Sequence, residues 1–245
     1  VTNQPSNVRE TNNAFYALLP CPTNSIGTLN SPQQITKYSD LLPRTLEDQI
    51  FHCGFHSEKS FGAASYFIQG EKRNYLIDSP QFRNNLVNRF KELGGIDYQL
   101  VTHKDDIADT NQYYEKFKSK RLIHSGDVTP KTEDYEIILE GTSNYEIDKD
   151  LLIIPVPGHT KGSLVFLYQE KYLFTGDHLA FSTRLNHLHG FKNHCWYSLE
   201  QLIESMEKLL HYKFNWILPG HGAPFKGTHQ EIRESLLKCI EYLKS

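Results

Sequence analysis

From about residue 50 onward, apolar and polar positions alternate in short stretches of two kinds. Residues 65–68 and 75–78 are β-rich runs separated by Gly70-Glu71-Lys72-Arg73-Asn74, which predicts a hairpin. Pro80 opens a predicted helix through about Leu93, because Phe82, Leu86, Phe90 and Leu93 recur at three- or four-residue steps. Gly94-Gly95 stops it. The interleaving continues with predicted strands at 98–102, 121–124, 151–156, 164–168, 172–175 and 216–218, and helices at 109–117, 199–210 and 230–243. Hairpins within that alternation predict a mixed α/β layered domain rather than a purely parallel wound sheet. Residues 1–48 are different. They are rich in Pro, Asn, Ser and Thr with weak periodicity, and they read as an irregular arm packed on, or leading into, the domain at 49–245.

Composition narrows the class. A chain of 245 residues can bury a core without disulfide staples, and 38% hydrophobic with 22% charged residues excludes wholesale disorder. The net charge is -3 and there is no Lys/Arg block, so nothing calls for a nucleic-acid partner. The longest apolar run, residues 151–154, ends at Pro155, far short of the roughly 20 residues of a membrane span. The start carries no signal-peptide pattern, although it does not begin with Met. Four scattered cysteines without a Cys-x-x-Cys pair argue against a thiolate zinc knuckle, a thioredoxin-like site or a ferredoxin cluster. Free thiols without a secretion signal predict a reducing, cytoplasmic setting. The expected partner is a small-molecule substrate, with no membrane contact.

The twelve histidines are more informative. Four polar knots each follow a predicted strand: Thr102-His103-Lys104-Asp105-Asp106, Pro157-Gly158-His159-Thr160-Lys161-Gly162-Ser163, Thr175-Gly176-Asp177-His178 and Leu218-Pro219-Gly220-His221-Gly222. A strand anchors its end against the core, and the turn after it can aim a polar side chain at a shared pocket. Imidazole and carboxylate donors suit Zn, Fe or Mn without a thiolate. His103 and Asp105, two apart on extended chain, point the same way and can share an ion.

These residues resemble the metallo-β-lactamase fold superfamily, which includes glyoxalase II-like hydrolases. The similarity covers roughly residues 50–244 and rests on all four knots in order. It implies an αββα sandwich with a metal site at one edge of the two sheets. It also implies that His103 and His159 hold the first ion, that Asp177 bridges, and that His221 belongs to a second ion. The first knot departs from the family's His-x-His-x-Asp-His. Asp105 stands where the second His is expected, Ile107 at the Asp position and Ala108 at the last His position. The latter two side chains have no donor. The reading is therefore a one-ion site of His103, Asp105, His159 and Asp177 with His221 close by. One divalent ion is expected, zinc first, iron or manganese as alternatives, and the second position lacks ligands.

An ion so held activates a water for attack on an ester, thioester, amide or phosphoester bond. With the Ile107 position vacant as a base, Asp106 or Asp105 is left to handle the proton, and Asp109 is a weaker candidate. Downstream, Arg184 can hold an anionic group and Tyr197 can donate to a developing oxyanion, while Trp196 reads as packed. Lys161 beside His159 can screen substrate charge. His52-Cys53-Gly54-Phe55-His56 is half a metal site and reads as packing. Two other readings stand beside the hydrolase: a non-catalytic binding or regulatory domain with a decayed site, and an iron-dependent oxidoreductase.

Overall fold

The computed structural model describes residues 4–23, 25–28 and 32–245, and it shows a mixed α/β chain whose strands form two large mixed sheets. Residues 1–3, 24 and 29–31 of the expected arm lie outside the described residues. The chain divides into two compact units, Val1–Gln99 with Ile107–Ser119, and Leu100–Asp106 with Lys120–Ser245.

In the first unit, two helices lie where composition predicted irregular chain: α1 (Val8–Leu18) and α2 (Pro32–Ser39). The Asn7 side chain caps α1 by accepting the Glu10 N–H. Phe15 of α1 stacks on Tyr38 of α2 with ring centroids 4.8 Å apart. A few aromatic contacts fix these helices, so a weak sequence periodicity sufficed. Next comes an antiparallel ribbon of β1 (Arg44–Glu47), β2 (Ile50–His52), β3 (Tyr66–Gln69) and β4 (Asn74–Ile77). β3 and β4 are the expected hairpin, in register from Tyr66↔Ile77 to Gln69↔Asn74. The helix expected from Pro80 begins later, as α3 (Asn84–Glu92), because Arg83 is still extended at φ -131, ψ 135. It buries Leu86, Val87 and Phe90 against Phe67, Leu76 and Tyr113.

The second unit starts at Leu100, inside β5 (Tyr98–Leu100), and α4 (Thr110–Phe117) interrupts it as part of the first. Val101 donates its N–H to Leu122 O (3.0 Å) of β6 (Lys120–His124), which pairs in parallel with β7 (Ile137–Leu139). The remaining elements are β8 (Tyr145–Asp148), β9 (Leu151–Pro155), β10 (Leu164–Tyr168), β11 (Tyr172–Gly176), β12 (Ala180–Ser182), β13 (His187–His189), α5 (Leu199–Leu209), β14 (Trp216–Pro219), β15 (Phe225–Lys226) and α6 (His229–Lys244). Six of these strands form a sheet in the order β15-β14-β11-β10-β9-β8, and β12 and β13 form a separate hairpin. Every residue of β10 and β11 is buried, which explains the apolar runs at residues 164–168 and 172–174. Leu202, Met206 and Leu209 of α5 and Ile232, Leu236, Ile240 and Leu243 of α6 recur at helical spacing and close one core with Ile154, Val165, Leu173 and Ile217. Each such side chain contributes roughly 1.5–3 kcal/mol by leaving water.

Strand direction decides where the chemistry falls. β10 is antiparallel to both β9 and β11, so those two run the same way, and β14 is parallel to β11. The chain segments after β9, β11 and β14 therefore all emerge at one edge of the sheet, and these are three of the four knots.

Candidate metal centre

Each knot is pinned to its strand. Leu164 N–H of β10 bonds Thr102 O (2.8 Å), which holds the residue before His103. Val156 N–H bonds Ser163 O (2.8 Å) and closes the loop that carries His159. The parallel register Gly176↔Pro219, with Gly220 N–H bonded to Gly176 O (2.8 Å), sets Asp177 beside His221. Gly176 has φ +48, and a Cβ there would lie 2.4 Å from Thr102 Oγ1, so only glycine lets the third knot lie against the first.

The predicted ligands converge. The rings of His103 and His159 cross edge-on with centroids 4.9 Å apart. Donor atoms of His103, Asp105 and His159 lie within 4.8 Å of one another, the one such group of three among the described residues. Asp177 Oδ2 is 3.8 Å from His103 Nε2 and 3.9 Å from His159 Nε2, and Asp105 Oδ2 is 3.8 Å from His103 Nε2. Four donors around a tetrahedral ion with bonds of roughly 2.1 Å stand about 3.4 Å apart, so the three carboxylate–imidazole pairs need to close by about half an ångström and the widest pair of the trio by up to about 1.4 Å. His221 reaches the set through Asp177, donating from Nδ1 to Oδ1 at 2.7 Å.

Protonation fits the same picture. His159 Nδ1 faces the His194 carbonyl at 2.7 Å, and a carbonyl only accepts, so Nδ1 carries a proton and Nε2 is the nitrogen left to face an ion. His103 Nδ1 faces Thr102 Oγ1 (3.1 Å) and Asp106 Oδ2 (3.6 Å). Both Nε2 atoms are buried and have no hydrogen-bond partner. A buried lone pair without a donor is costly, and a cation among these atoms satisfies both. Burial lowers the pKa of His103, opposed by Asp177 and reinforced by His159, so the imidazole is neutral. Burial opposes charge on Asp177, but the hydrogen bond from His221 and the nearby imidazoles outweigh it and hold the carboxyl below its ordinary range. The residues present therefore fit a divalent cation.

The other predicted residues fall into place differently. Asp106 is 1% exposed and stands at the Nδ1 side of His103. Asp109 belongs to the first unit, where it pairs with Lys59 (2.5 Å) and accepts the Phe82 N–H (2.8 Å), a structural task rather than proton transfer. Lys161 and Arg184 are exposed. Tyr197 is 44% exposed, its N–H bonded to Gly158 O (3.3 Å). Trp196, expected to be packed, is 67% exposed instead: its backbone is tied down by the N–H bond to His159 O (2.9 Å), and its ring lies outside the core. His52 and His56 face each other through their Nε2 atoms at 3.2 Å, with Tyr66 edge-on to His52. The sequence reading missed Asp127, which ends the turn after β6. His124-Ser125-Gly126-Asp127 is a fifth strand-end polar knot, and that repeated pattern was the available signal.

The sheets, strand order and strand-end site together define the metallo-β-lactamase fold, and comparison with solved structures bears this out. The crystal structure of VMB-1 aligns over 82% of this chain and 95% of its own with a TM-score of 0.62 and 16% identity. The DIM-1 metallo-β-lactamase aligns over 79% and 95% at a TM-score of 0.60 and 16% identity. The metallo-β-lactamase family protein TTHA1429 of Thermus thermophilus covers 82% of this chain and 81% of its own at 0.59 and 15%. A relative by sequence is the uncharacterized protein YobT of Bacillus subtilis (strain 168), 23% identical over 212 residues, spanning 73% of this chain and 91% of YobT. No family model matches the chain. No described helix is long and apolar enough to cross a membrane.

Proposed function

We propose that the chain is a metal-dependent hydrolase that holds one divalent ion, zinc first, on His103, Asp105 and His159 with Asp177 completing the set. The observation that carries this reading is the pair of buried, unbonded Nε2 atoms facing two carboxylates at 3.8–3.9 Å. When bound, the ion lowers the pKa of a water toward neutrality and polarises the scissile ester, thioester, amide or phosphoester group. The protein's own groups do the rest. His194 O and Thr102 Oγ1 orient the two imidazoles. His221 fixes the rotamer of Asp177. Asp105, with a 35% exposed side chain, is the carboxylate that can take the water's proton and pass it to solvent. Asp106 is too enclosed for that, and its place against Nδ1 suits holding His103 instead. Lys161, Arg184 and Tyr197 are assigned to the substrate, as exposed groups able to meet an anion or an oxyanion.

A second reading is a non-catalytic binding or regulatory domain. It is favoured by Ile107 and Ala108, which carry no donor where the resemblance expects Asp and His. One experiment separates them. Elemental analysis of tag-free protein is paired with a panel of p-nitrophenyl esters, a thioester and bis(p-nitrophenyl) phosphate, for wild type and His159→Ala. About one equivalent of metal, with turnover that disappears in a folded His159→Ala, is the expected outcome. Less than about 0.2 equivalents after growth with added zinc, iron and manganese overturns the metal reading. Metal without turnover on any substrate favours the binding domain.

A further inference from the structure

Asp127 is 2% exposed and faces no cation in its hydrogen bonds, yet its carboxylate meets three donors. Oδ2 accepts the N–H of Lys104 (3.0 Å) and the hydroxyl of Thr160 (2.6 Å), and Oδ1 accepts the N–H of Gly162 (2.8 Å). Lys104 sits between His103 and Asp105, and Thr160 directly follows His159. One buried carboxylate thus joins the two loops that carry the tight trio. The proton count is closed. Thr160 gives its single hydroxyl proton to the carboxylate, which only accepts, so Ser163 donates to Thr160 Oγ1 (2.8 Å) and accepts the Thr160 N–H (3.0 Å). The approach is also tight. A Cβ at Gly162 would lie 2.7 Å from Asp127 N and 2.8 Å from Asp127 Cγ, so the loop reaches the carboxylate only because residue 162 is glycine.

We infer that Asp127 is a positioning residue that locks the His103–Asp105 segment to the His159 loop and so sets the affinity of the site for its cation. The inference rests on the metal reading above. Ligand atoms need to stay within about 0.5 Å of the bound geometry. Three charge-assisted hydrogen bonds, two of them at residues next to the ligands and the third at Gly162 in the His159 loop, supply that constraint. Asp127→Asn places an NH2 group against N–H and O–H donors, and Thr160→Val removes one bond of the three.

The test is the Zn(II) dissociation constant of the full chain by competition with a chromophoric chelator, with the melting temperature in EDTA as a check on folding. Asp127→Asn is expected to weaken zinc binding about 10- to 100-fold, and Thr160→Val by a smaller factor in the same direction. Leu236→Ala, a core cavity in α6, destabilises the same unit but leaves zinc affinity unchanged, which separates positioning from general loosening. Should Asp127→Asn fail to melt cooperatively, Thr160→Val decides. Zinc affinity within about twofold of wild type in the folded variants overturns the inference while leaving the metal site standing, because the usual penalty is tenfold or more. A wild type that binds no zinc, iron or manganese overturns the metal reading and this inference with it.

Discussion

His178, next to Asp177, is 1% exposed, and neither ring nitrogen has a hydrogen-bond partner. Burial first, and the His159 imidazole second, push its pKa from 6.5 down to about 3. The unfolded chain takes up this proton near the ordinary value and the folded chain only near the depressed one. The stability it contributes is therefore complete above pH 6.5 and is lost as pH falls toward 3. The slope in that window is about 1.4 kcal/mol per pH unit, so lowering pH from 7 to 5 costs about 2 kcal/mol through this one group. His178→Leu abolishes that part of the pH dependence. It also replaces an unbonded buried polar ring by an apolar side chain, so stability at pH 7 is expected to hold. The assay is urea unfolding followed by circular dichroism in EDTA at both pH values. With m of roughly 2–3 kcal/mol/M, the wild-type midpoint should fall about 0.7–1 M further than that of the variant. Other titrating groups are common to both proteins and cancel in the difference. A variant that loses as much between pH 7 and 5 as wild type, within about 0.5 kcal/mol, refutes the reasoning.

Two further substitutions probe the packing that aims the site and the first unit. Gly176→Ala forces a left-handed residue at about 1–2 kcal/mol and drives a methyl to 2.4 Å from Thr102 Oγ1. With about 1–3 kcal/mol for overpacking, the expected loss is about 2–5 kcal/mol in urea unfolding, and a loss under about 1 kcal/mol contradicts the close approach. Asp109→Ala strands the Phe82 N–H and removes the buried carboxylate, 9% exposed, that pairs with the exposed Lys59. About 1–3 kcal/mol of stability should go while zinc affinity stays put; a change in zinc affinity beyond about threefold, or 0.6 kcal/mol, would give Asp109 the role that its geometry denies.

Legibility in the sequence followed how locally each element is determined. β9, β10 and β11 and helices α5 and α6 declared themselves because their apolar positions repeat at strand or helix spacing, and burial on the sheet rewards that pattern alone. α1 and α2 did not, because they are held by a stack of Phe15 on Tyr38, a tertiary contact between segments that separately look like loop. β13 is His187-Leu188-His189, polar at two of three positions, and exists by pairing with β12 at Ala180↔His189. In the site, His103, His159, Asp177 and His221 stood out because each follows an apolar strand, beside glycine in three of the four cases. Asp127 follows β6 in the same way but lies in Ser125-Gly126-Asp127, which reads as an ordinary turn. Its strand-end position was a signal, but its importance comes from Lys104, Thr160 and Gly162 arriving from elsewhere in the chain, which that local pattern does not encode.

The electrostatics of the pocket favour a cation over a proton, as the proposed metal reading requires. Asp177, Asp105 and Asp127 all pull the His103 imidazole toward its charged form, yet burial outweighs them and, with His159 adding to it, keeps the ring neutral. Asp177 is driven the opposite way, toward ionisation, by His221 and the same imidazoles against the cost of its own burial. Metal ligands have to be deprotonated before they coordinate, and in most sites the ion works against protons to achieve this. Here burial disfavours the proton on His103, and the hydrogen bond from His221 favours an ionised Asp177, whose Oδ2 stands 3.8 Å from His103 Nε2 and 3.9 Å from His159 Nε2. Protonating His103 would answer the carboxylates but would place a charged ring where burial resists it. A divalent ion answers the same carboxylates by sharing bonds with all the donors at once, which replaces the solvation that burial took away.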